Sequence, residues 1–249
     1  MAAQPAAEVP EPTPGPPVPE RHHRDVQGGV ARAAVFGASD GLVSNVALIL
    51  AMAAASPGSG VVRLAGLAGM IAGAFSMGAG EYGSMTAQRE LLEHELEMER
   101  VELARNPHVE TVELSQLYQA RGIHPDLSRQ LAEDVMRDPD AALEAHAREE
   151  LGIDPGALGL PIGAAIASFV SFVIGASLPL LPWFFADGGA AVTGSIVLGL
   201  VGAATVGVLL ARSTHGSYGR LVARYVVIAL LSGSITYVIG SAVGVGGTS

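Results

Sequence analysis

The sequence predicts an all-α membrane protein with five transmembrane helices and a cytoplasmic helical insert between spans two and three. Two observations support this fold class. Of the 249 residues, 49% are hydrophobic and 32 are Gly, which is typical of an integral membrane protein. The acidic residues are concentrated in one segment, since 18 of the 24 Asp and Glu fall between Glu81 and Asp154. Apolar stretches interrupted once by an acidic segment indicate spans with one soluble insert.

The first 28 residues are predicted to be a disordered tail. Residues 1–20 contain seven Pro and have neither the basic start nor the apolar centre of a signal peptide. Spans one and two are then assigned to 29–85, the acidic insert to 86–156, and spans three to five to 157–249.

Five apolar stretches approach the ~20 residues that a bilayer-crossing helix needs. They lie at about 35–55, 62–84, 159–182, 190–211 and 221–244. The third stretch ends in "LPLLPWFF". There Pro179 and Pro182 are expected to break the helix, and Trp183 is expected to lie in the aromatic belt of the membrane interface.

Arginine positions predict the orientation of these spans. Arginines precede the first span and flank the connection between the fourth and fifth, whereas the opposite side has only Arg63. Because short cytoplasmic segments carry the excess of basic residues, we expect the N-terminus and the insert to be cytoplasmic. Without Lys or a targeting segment, the composition favours a bacterial cytoplasmic membrane.

The insert is predicted to be helical. Strong helix formers follow Gly83 without Gly or Pro, so span two should continue as one long helix as far as Asn106 and Pro107. Three shorter helices follow, at about 109–121, from about Pro125, and from about 139 to a stop at Gly152.

Acidic side chains of the insert recur at helical spacing. Glu95, Glu99 and Glu102 share one face of the first helix, and Glu110 and Glu113 repeat the three-residue step on the next. The last helix adds His146 and Glu150. Because like charges at these spacings repel, a bound cation is one explanation, and a solvated charged face is the other. The chain has no Cys, so carboxylate and imidazole ligands would suit Mn(II) or Fe(II).

Several other classes of protein fit poorly. The net charge of −10 disfavours nucleic acid as a partner, because phosphate binding needs clustered basic residues. The Glu-x-x-His pair of di-iron proteins does not occur, and "HELEM" at 94–98 lacks the second His of a zinc protease. We therefore predict that the protein is not an enzyme.

The spans contain polar groups of their own. Asp40 and Asn45 interrupt the first span, and Met77 and Glu81 lie one turn apart on one face of the second. An ionisable residue within a span indicates a transport path or a buried functional site. The alternatives are that Asp40 caps a helix after a break at Gly37, and that Met77 is a packing residue.

Four motifs together resemble the vacuolar iron transporter family. They are "DGLVSN" at 40–45, "GAFSMGAGEY" at 73–82, "HAREELGI" at 146–153 and "SLPLLPW" at 177–183. The resemblance covers about residues 28 to 245 and implies a homodimer that exchanges protons for Fe(II), or in some members Mn(II).

The resemblance also implies roles for individual residues. Asp40 and Met77 match residues that line a path at the dimer interface. The insert glutamates that match a metal cluster are Glu99, Glu102, Glu110, Glu113 and Glu150. Two departures are visible: Gly69 stands where many members have a glutamate, and His146 with Ala147 stands where some have a methionine and a glutamate.

From residues and resemblance together, we expect a proton-coupled exporter of Fe(II) or Mn(II) from the cytoplasm, without a permanent cofactor. Two alternatives remain open. One is a membrane-anchored metal buffer or sensor, and the other is a proton-coupled carrier of an organic solute.

Overall fold

The computed structural model describes residues 29–55, 58–214 and 216–246, so the predicted disordered tail lies outside the described residues. Within these ranges the chain forms eight α-helices, and a short 3-10 turn at Leu181–Phe184 follows the sixth. The helices are α1 (Gly29–Ala55), α2 (Ser59–Arg105), α3 (Pro107–Ala120), α4 (Pro125–Val135), α5 (Pro139–Glu149), α6 (Pro161–Leu180), α7 (Gly188–Thr214) and α8 (Tyr218–Gly246).

The predicted fold class is confirmed. In the described part of the chain, five helices are long and apolar enough to cross a membrane, namely α1, α2, α6 with its 3-10 turn, α7 and α8. The long helix predicted after span two is also present, because α2 continues without interruption to Arg105. It ends where expected, since the proline at 107 disfavours a helical conformation at Asn106.

Helix α1 is the centre of the bundle and packs against α2, α6, α7 and α8. Its contact with α6 is made by backbone atoms. A methyl group at Gly41 would overlap the Phe172 carbonyl, and one at Gly175 would overlap the Ala38 carbonyl. Small residues allow this close approach of two parallel helices. Gly175 therefore belongs to a packed interface between α1 and α6.

The same packing excludes the capping role considered for Asp40. Helix α1 runs unbroken through Gly37, whose missing side chain leaves room for the backbone at Ser168. Asp40 therefore lies in the interior of a helix, eleven positions after its first residue, Gly29. The alternative that Asp40 caps a helix is wrong.

The α-helix ends between the two prolines that were predicted to break it, although Pro179 itself lies inside the helix. Helix α6 continues through the buried Pro179 to Leu180 and then tightens into the 3-10 turn that contains Pro182. Trp183 is 2% exposed, so its indole packs in the protein interior and does not face the lipid. Its Nε1 donates to Ser195 Oγ at 2.8 Å, and that hydroxyl donates to the Pro179 carbonyl at 2.6 Å. The indole thereby joins α6 to α7.

The insert consists of the distal part of α2 with α3, α4 and α5. Helices α3 and α4 share a small apolar core around Leu114, Tyr118 and Ala132. Asp138 caps α5 by accepting from the backbone N–H of Asp140 at 3.0 Å. Contacts of α2 with α3 and α5 bring three helices of the insert to one place.

Candidate metal sites

Three buried side chains of the insert converge. Glu99 lies on α2, Glu110 in the first turn of α3, and His146 in the last turn of α5. Their potential ligand atoms all lie within 4.8 Å of one another. His146 Nδ1 is 3.1 Å from a Glu99 carboxylate oxygen and 3.9 Å from one of Glu110. Glu150, directly after α5, places a carboxylate oxygen 3.5 Å from the same nitrogen.

Electrostatic repulsion within this insert cluster favours a bound proton or cation. Burial, together with the charges of Glu150 and Glu110, raises the pKa of Glu99 to about 7. Burial also raises the pKa of Glu110. Glu99 Oε1 and both ring nitrogens of His146 lack hydrogen-bond partners among the described residues. A divalent cation would satisfy these buried groups, because burying polar atoms without partners is costly.

The other acids predicted for this site surround it. Glu102 and Glu113 are exposed, and their charges help to raise the pKa of Glu99 after the effects of burial and of the nearer carboxylates. Glu95 is exposed and lies one turn before Glu99 on α2. The predicted set therefore divides into buried residues that can ligate an ion and exposed ones that contribute negative potential.

The interpretation as a solvated charged face applies to the outward side of α2. There Arg89 pairs with Glu93 at 2.7 Å, and Arg100 pairs with Glu97 at 3.0 Å. All four side chains are well exposed. These pairs neutralise acids outside the insert cluster, so they leave its negative charge in place.

A second polar site lies within the spans. Asp40 and Asn45 of α1 and Met77 of α2 line a cavity of about 220 Å³. The remaining residues that line this intramembrane cavity are Ser44, Leu48, Gly69, Gly73, Ser76 and Phe172. A carboxylate, an amide and a thioether thus meet between α1 and α2. Met77 also packs against Ala74 and Phe172, so it combines contact with the cavity and the packing role considered for it.

Asn45 is held in one orientation in this cavity. The side chain is 2% exposed, and its Nδ2 donates to the backbone carbonyl of Ala176 on α6 at 2.6 Å. The amide oxygen has no hydrogen-bond partner among the described residues. A methyl group at Gly69 would lie 3.5 Å from this oxygen, so the oxygen faces α2. The oxygen can therefore accept a hydrogen bond from a molecule bound in the cavity, or coordinate a bound ion.

Glu81 lies apart from the residues that line the cavity. Its carboxylate pairs with the Arg32 guanidinium of α1 at 2.7 Å, and the Glu81 side chain is 11% exposed. By helix rise, Glu81 is about 6 Å from Met77 along α2, on the side nearer the insert. The structure thus brings Asp40, Asn45 and Met77 together and places Glu81 above them, in an ion pair.

Sequence reasoning missed Arg32 as a partner of Glu81 and the Ala176 carbonyl as the group that orients Asn45. Arg32 and Glu81 are separated by 49 positions and Asn45 and Ala176 by 131. No local pattern indicates contacts over such separations. One general signal was available for Glu81: an acid within or next to a span usually pairs with a basic residue nearby.

The fold and these two sites define a class of protein. It is an integral membrane protein with five spans, a polar cavity between two of them and a carboxylate–imidazole cluster in a helical insert. By count along α2, 22 residues separate Met77 from Glu99, so the two sites lie about 33 Å apart along that helix. This is the architecture of a protein that handles cations at a membrane.

Comparison with known proteins identifies the family. Residues 31–241 match the VIT family, and the chain belongs to that family. It is 40% identical over 168 residues to a vacuolar iron transporter of Acanthamoeba castellanii, a match that covers 67% of this chain and 60% of that protein. It is 34% identical over 167 residues to vacuolar iron transporter 1 of Oryza sativa subsp. japonica, covering 67% and 66%.

A longer match is to vacuolar iron transporter homolog 1 of Oryza sativa subsp. japonica, 34% identical over 212 residues, covering 83% of this chain and 70% of that protein. The chain matches 60% and 66% of the length of the first two relatives, which is less than two thirds of each. The resemblance stated from the four motifs is thereby confirmed at the level of the family.

Proposed function

We propose that the protein transports Fe(II) out of the cytoplasm in exchange for protons, with Mn(II) as a second substrate. The observation that carries the proposal is the intramembrane cavity, in which Asp40, Asn45 and Met77 converge between α1 and α2. An ionisable side chain within a membrane span is costly and indicates an ion pathway. The iron transporters named among the relatives support Fe(II) as the ion.

The ligands of the cavity suit a borderline divalent cation. The Asp40 carboxylate supplies charge, the Asn45 amide oxygen is a neutral ligand, and the Met77 thioether is a softer donor. Carboxylates and carbonyls alone would suit Mg²⁺ and Ca²⁺ equally well, whereas a sulfur donor favours Fe(II) over these harder ions. Because a proton and a metal ion compete for the same carboxylate, binding of one releases the other. This competition is the proposed basis of the coupling.

The insert cluster is proposed to collect ions before transport. The segment from Glu81 to Asp154 has 18 acids and seven Arg, so it attracts cations from the surrounding solution. Glu99, Glu110, His146 and Glu150 would hold an ion, with the exposed Glu95, Glu102 and Glu113 adding potential around it. With the insert on the cytoplasmic side, as arginine positions favour, ions would be collected there and released on the opposite side.

A second copy of the chain is proposed to complete the path. Helix α2 exposes large apolar residues within the span, with Leu64 69%, Ile71 53% and Phe75 65% exposed, so its outer surface can meet lipid or a second copy. The cavity itself is lined by Gly69, Gly73 and Ser76 of the same helix. Among the described residues that line the cavity, Asp40 is the only one with a carboxylate, so two copies facing each other would supply the two charges that balance a divalent ion.

Transport is tested with the purified protein in liposomes under an imposed pH gradient, with Fe(II) and Mn(II) in parallel and a pH dye inside. We expect metal uptake with opposite proton flow. Asp40→Asn should abolish both, whereas Asp187→Asn, an exposed acid between α6 and α7, should leave both unchanged. Uptake that survives in Asp40→Asn would remove Asp40 from the mechanism.

The alternative of a membrane-anchored metal buffer or sensor is favoured by one observation. Among the described residues, the buried side chains that could hold an ion in the insert cluster all come from the insert, including the extension of α2. If wild-type protein binds metal but moves neither metal nor protons in liposomes, the buffer or sensor becomes the better account.

A further inference from the structure

We propose that His146 makes the insert cluster selective for Fe(II), Co(II) and Zn(II) over Mg²⁺ and Ca²⁺, by supplying a nitrogen ligand through Nδ1. This inference deepens the proposed function, because it concerns which ions the insert would collect. It is tested by binding alone and does not require that the protein transports them.

The geometry around His146 Nδ1 fits a single ion. A six-coordinate ion with bonds of about 2.1 Å holds neighbouring ligand atoms about 3.0 Å apart and opposite ones about 4.2 Å apart. Carboxylate oxygens of Glu99, Glu150 and Glu110 lie 3.1, 3.5 and 3.9 Å from this nitrogen. All three distances fall within that range, so one ion can contact the ring and the three carboxylates after small adjustments.

Burial distinguishes His146 from an ordinary core histidine. Its side chain is 0% exposed, and neither ring nitrogen has a hydrogen-bond partner among the described residues. A buried histidine that serves only to fill space would be expected to donate one N–H and accept at the other nitrogen. Here Nδ1 faces three acids without a geometry suited to hydrogen bonds, which a metal–nitrogen bond would explain.

The chemistry of the ligand set then determines the ion. Glu99, Glu110 and Glu150 alone would form an all-oxygen site, which suits Mg²⁺, Ca²⁺ and Mn²⁺. An imidazole ligand adds affinity for Fe(II), Co(II) and Zn(II), in the order set by the divalent first-row series, and adds little for Mg²⁺ or Ca²⁺. Selectivity against Mg²⁺ is valuable for a site that must find a scarce ion among abundant ones.

The first experiment measures binding of Co(II) and Mg²⁺ to the full-length protein in detergent by competition titration. We expect wild type to prefer Co(II), and His146→Gln, which replaces nitrogen by an amide oxygen, to lose at least about tenfold of that preference. The matched control is His94→Gln, an exposed histidine on the same insert. It should retain the wild-type ratio. An unchanged ratio in His146→Gln would overturn the proposal.

The second experiment needs no variant, in case His146→Gln does not fold. Mn(II) is bound to wild type as a spectroscopic probe, and electron spin echo modulation is recorded for coupling to ¹⁴N. We expect the wild-type spectrum to show the modulation of an imidazole nitrogen. The His94→Gln variant should show the same modulation. The proposal would be contradicted if bound Mn(II) showed no ¹⁴N modulation, or if no Mn(II) bound. Failure of transport in liposomes with the selectivity intact would reject only the proposed function.

Discussion

The Arg32 guanidinium of α1 lies 2.7 Å from the Glu81 carboxylate of α2. The pair joins the two helices that form the intramembrane cavity, at the end of the cavity nearer the insert. Arg32 is 69% exposed and Glu81 only 11%, so a cation that approaches from the insert side meets the arginine first. An ion pair with one well-exposed partner, as here, contributes only about 0–1 kcal/mol to stability when solvent screens it.

The first prediction separates a structural role of this pair from a role in transport. Arg32→Gln should lower the apparent KM for Fe(II) by a few-fold, because Glu81 then no longer binds the guanidinium. Glu81→Gln should raise the KM, although it breaks the same ion pair. Both are measured as initial uptake rates in liposomes. If the two variants change the KM in the same direction, the pair serves only to hold α1 against α2.

The second prediction concerns the pH dependence of stability. Burial and the neighbouring Glu150 and Glu110 raise the pKa of Glu99 from 4.5 to about 7. The folded state therefore binds a proton between these values that the unfolded state has lost. Stability consequently falls as pH rises from about 4.5 to about 7, since the slope follows the difference in bound protons.

Glu99→Gln tests this dependence. The neutral amide does not titrate, so this variant should melt a few degrees higher than wild type at pH 8 without metal, and should show little difference at pH 4. Its affinity for Co(II) should fall at least tenfold, because a ligand is lost. Thermal unfolding in detergent with a chelator measures the first effect. A variant less stable than wild type at pH 8 would show that the Glu99 carboxylate stabilises the metal-free insert.

The extent to which the fold could be predicted depended on the range of the interactions. The five spans and the long α2 follow from local composition, because about 20 apolar residues or a run of helix formers suffices. Local sequence did not show that Pro179 lies inside α6, which ends one residue later. It also did not show that Ala38 of α1 packs on Gly175, because that contact depends on the tertiary fold.

The candidate sites also combine features that local sequence indicates with features that depend on tertiary packing. Helical spacing indicated the acidic face of α2, and Glu99 could be grouped with Glu102 from sequence. Spacing within one helix does not show which acid is buried, because burial of Glu99 depends on α3 and α5 packing against it. The unpartnered nitrogens of His146 and the orientation of Asn45 are likewise consequences of tertiary packing.

The third prediction concerns the contact between α1 and α6. Gly41→Leu should prevent correct folding or destabilise the protein by at least about 1–3 kcal/mol, because its side chain would meet the Phe172 backbone, which cannot move aside as a side chain does. The matched control is Gly219→Leu in α8, where a methyl group meets nothing within 4 Å. Yield of monodisperse protein and melting temperature are compared. Equal behaviour of the two variants would argue against the tight α1–α6 contact.

The fourth prediction tests the orientation on which the direction of transport depends. The chain has no Cys, so one introduced thiol is the only one available for labelling. Gly189 at the start of α7 and Gln130 on α4 are both exposed, and the five spans place them on opposite sides of the membrane. In intact bacterial cells, Gly189→Cys should react with a membrane-impermeant maleimide, and Gln130→Cys should react only after permeabilisation. The reverse pattern would place the insert outside the cell. Because the insert cluster would then collect ions from the exterior, the protein would be an importer and the proposed export would be wrong.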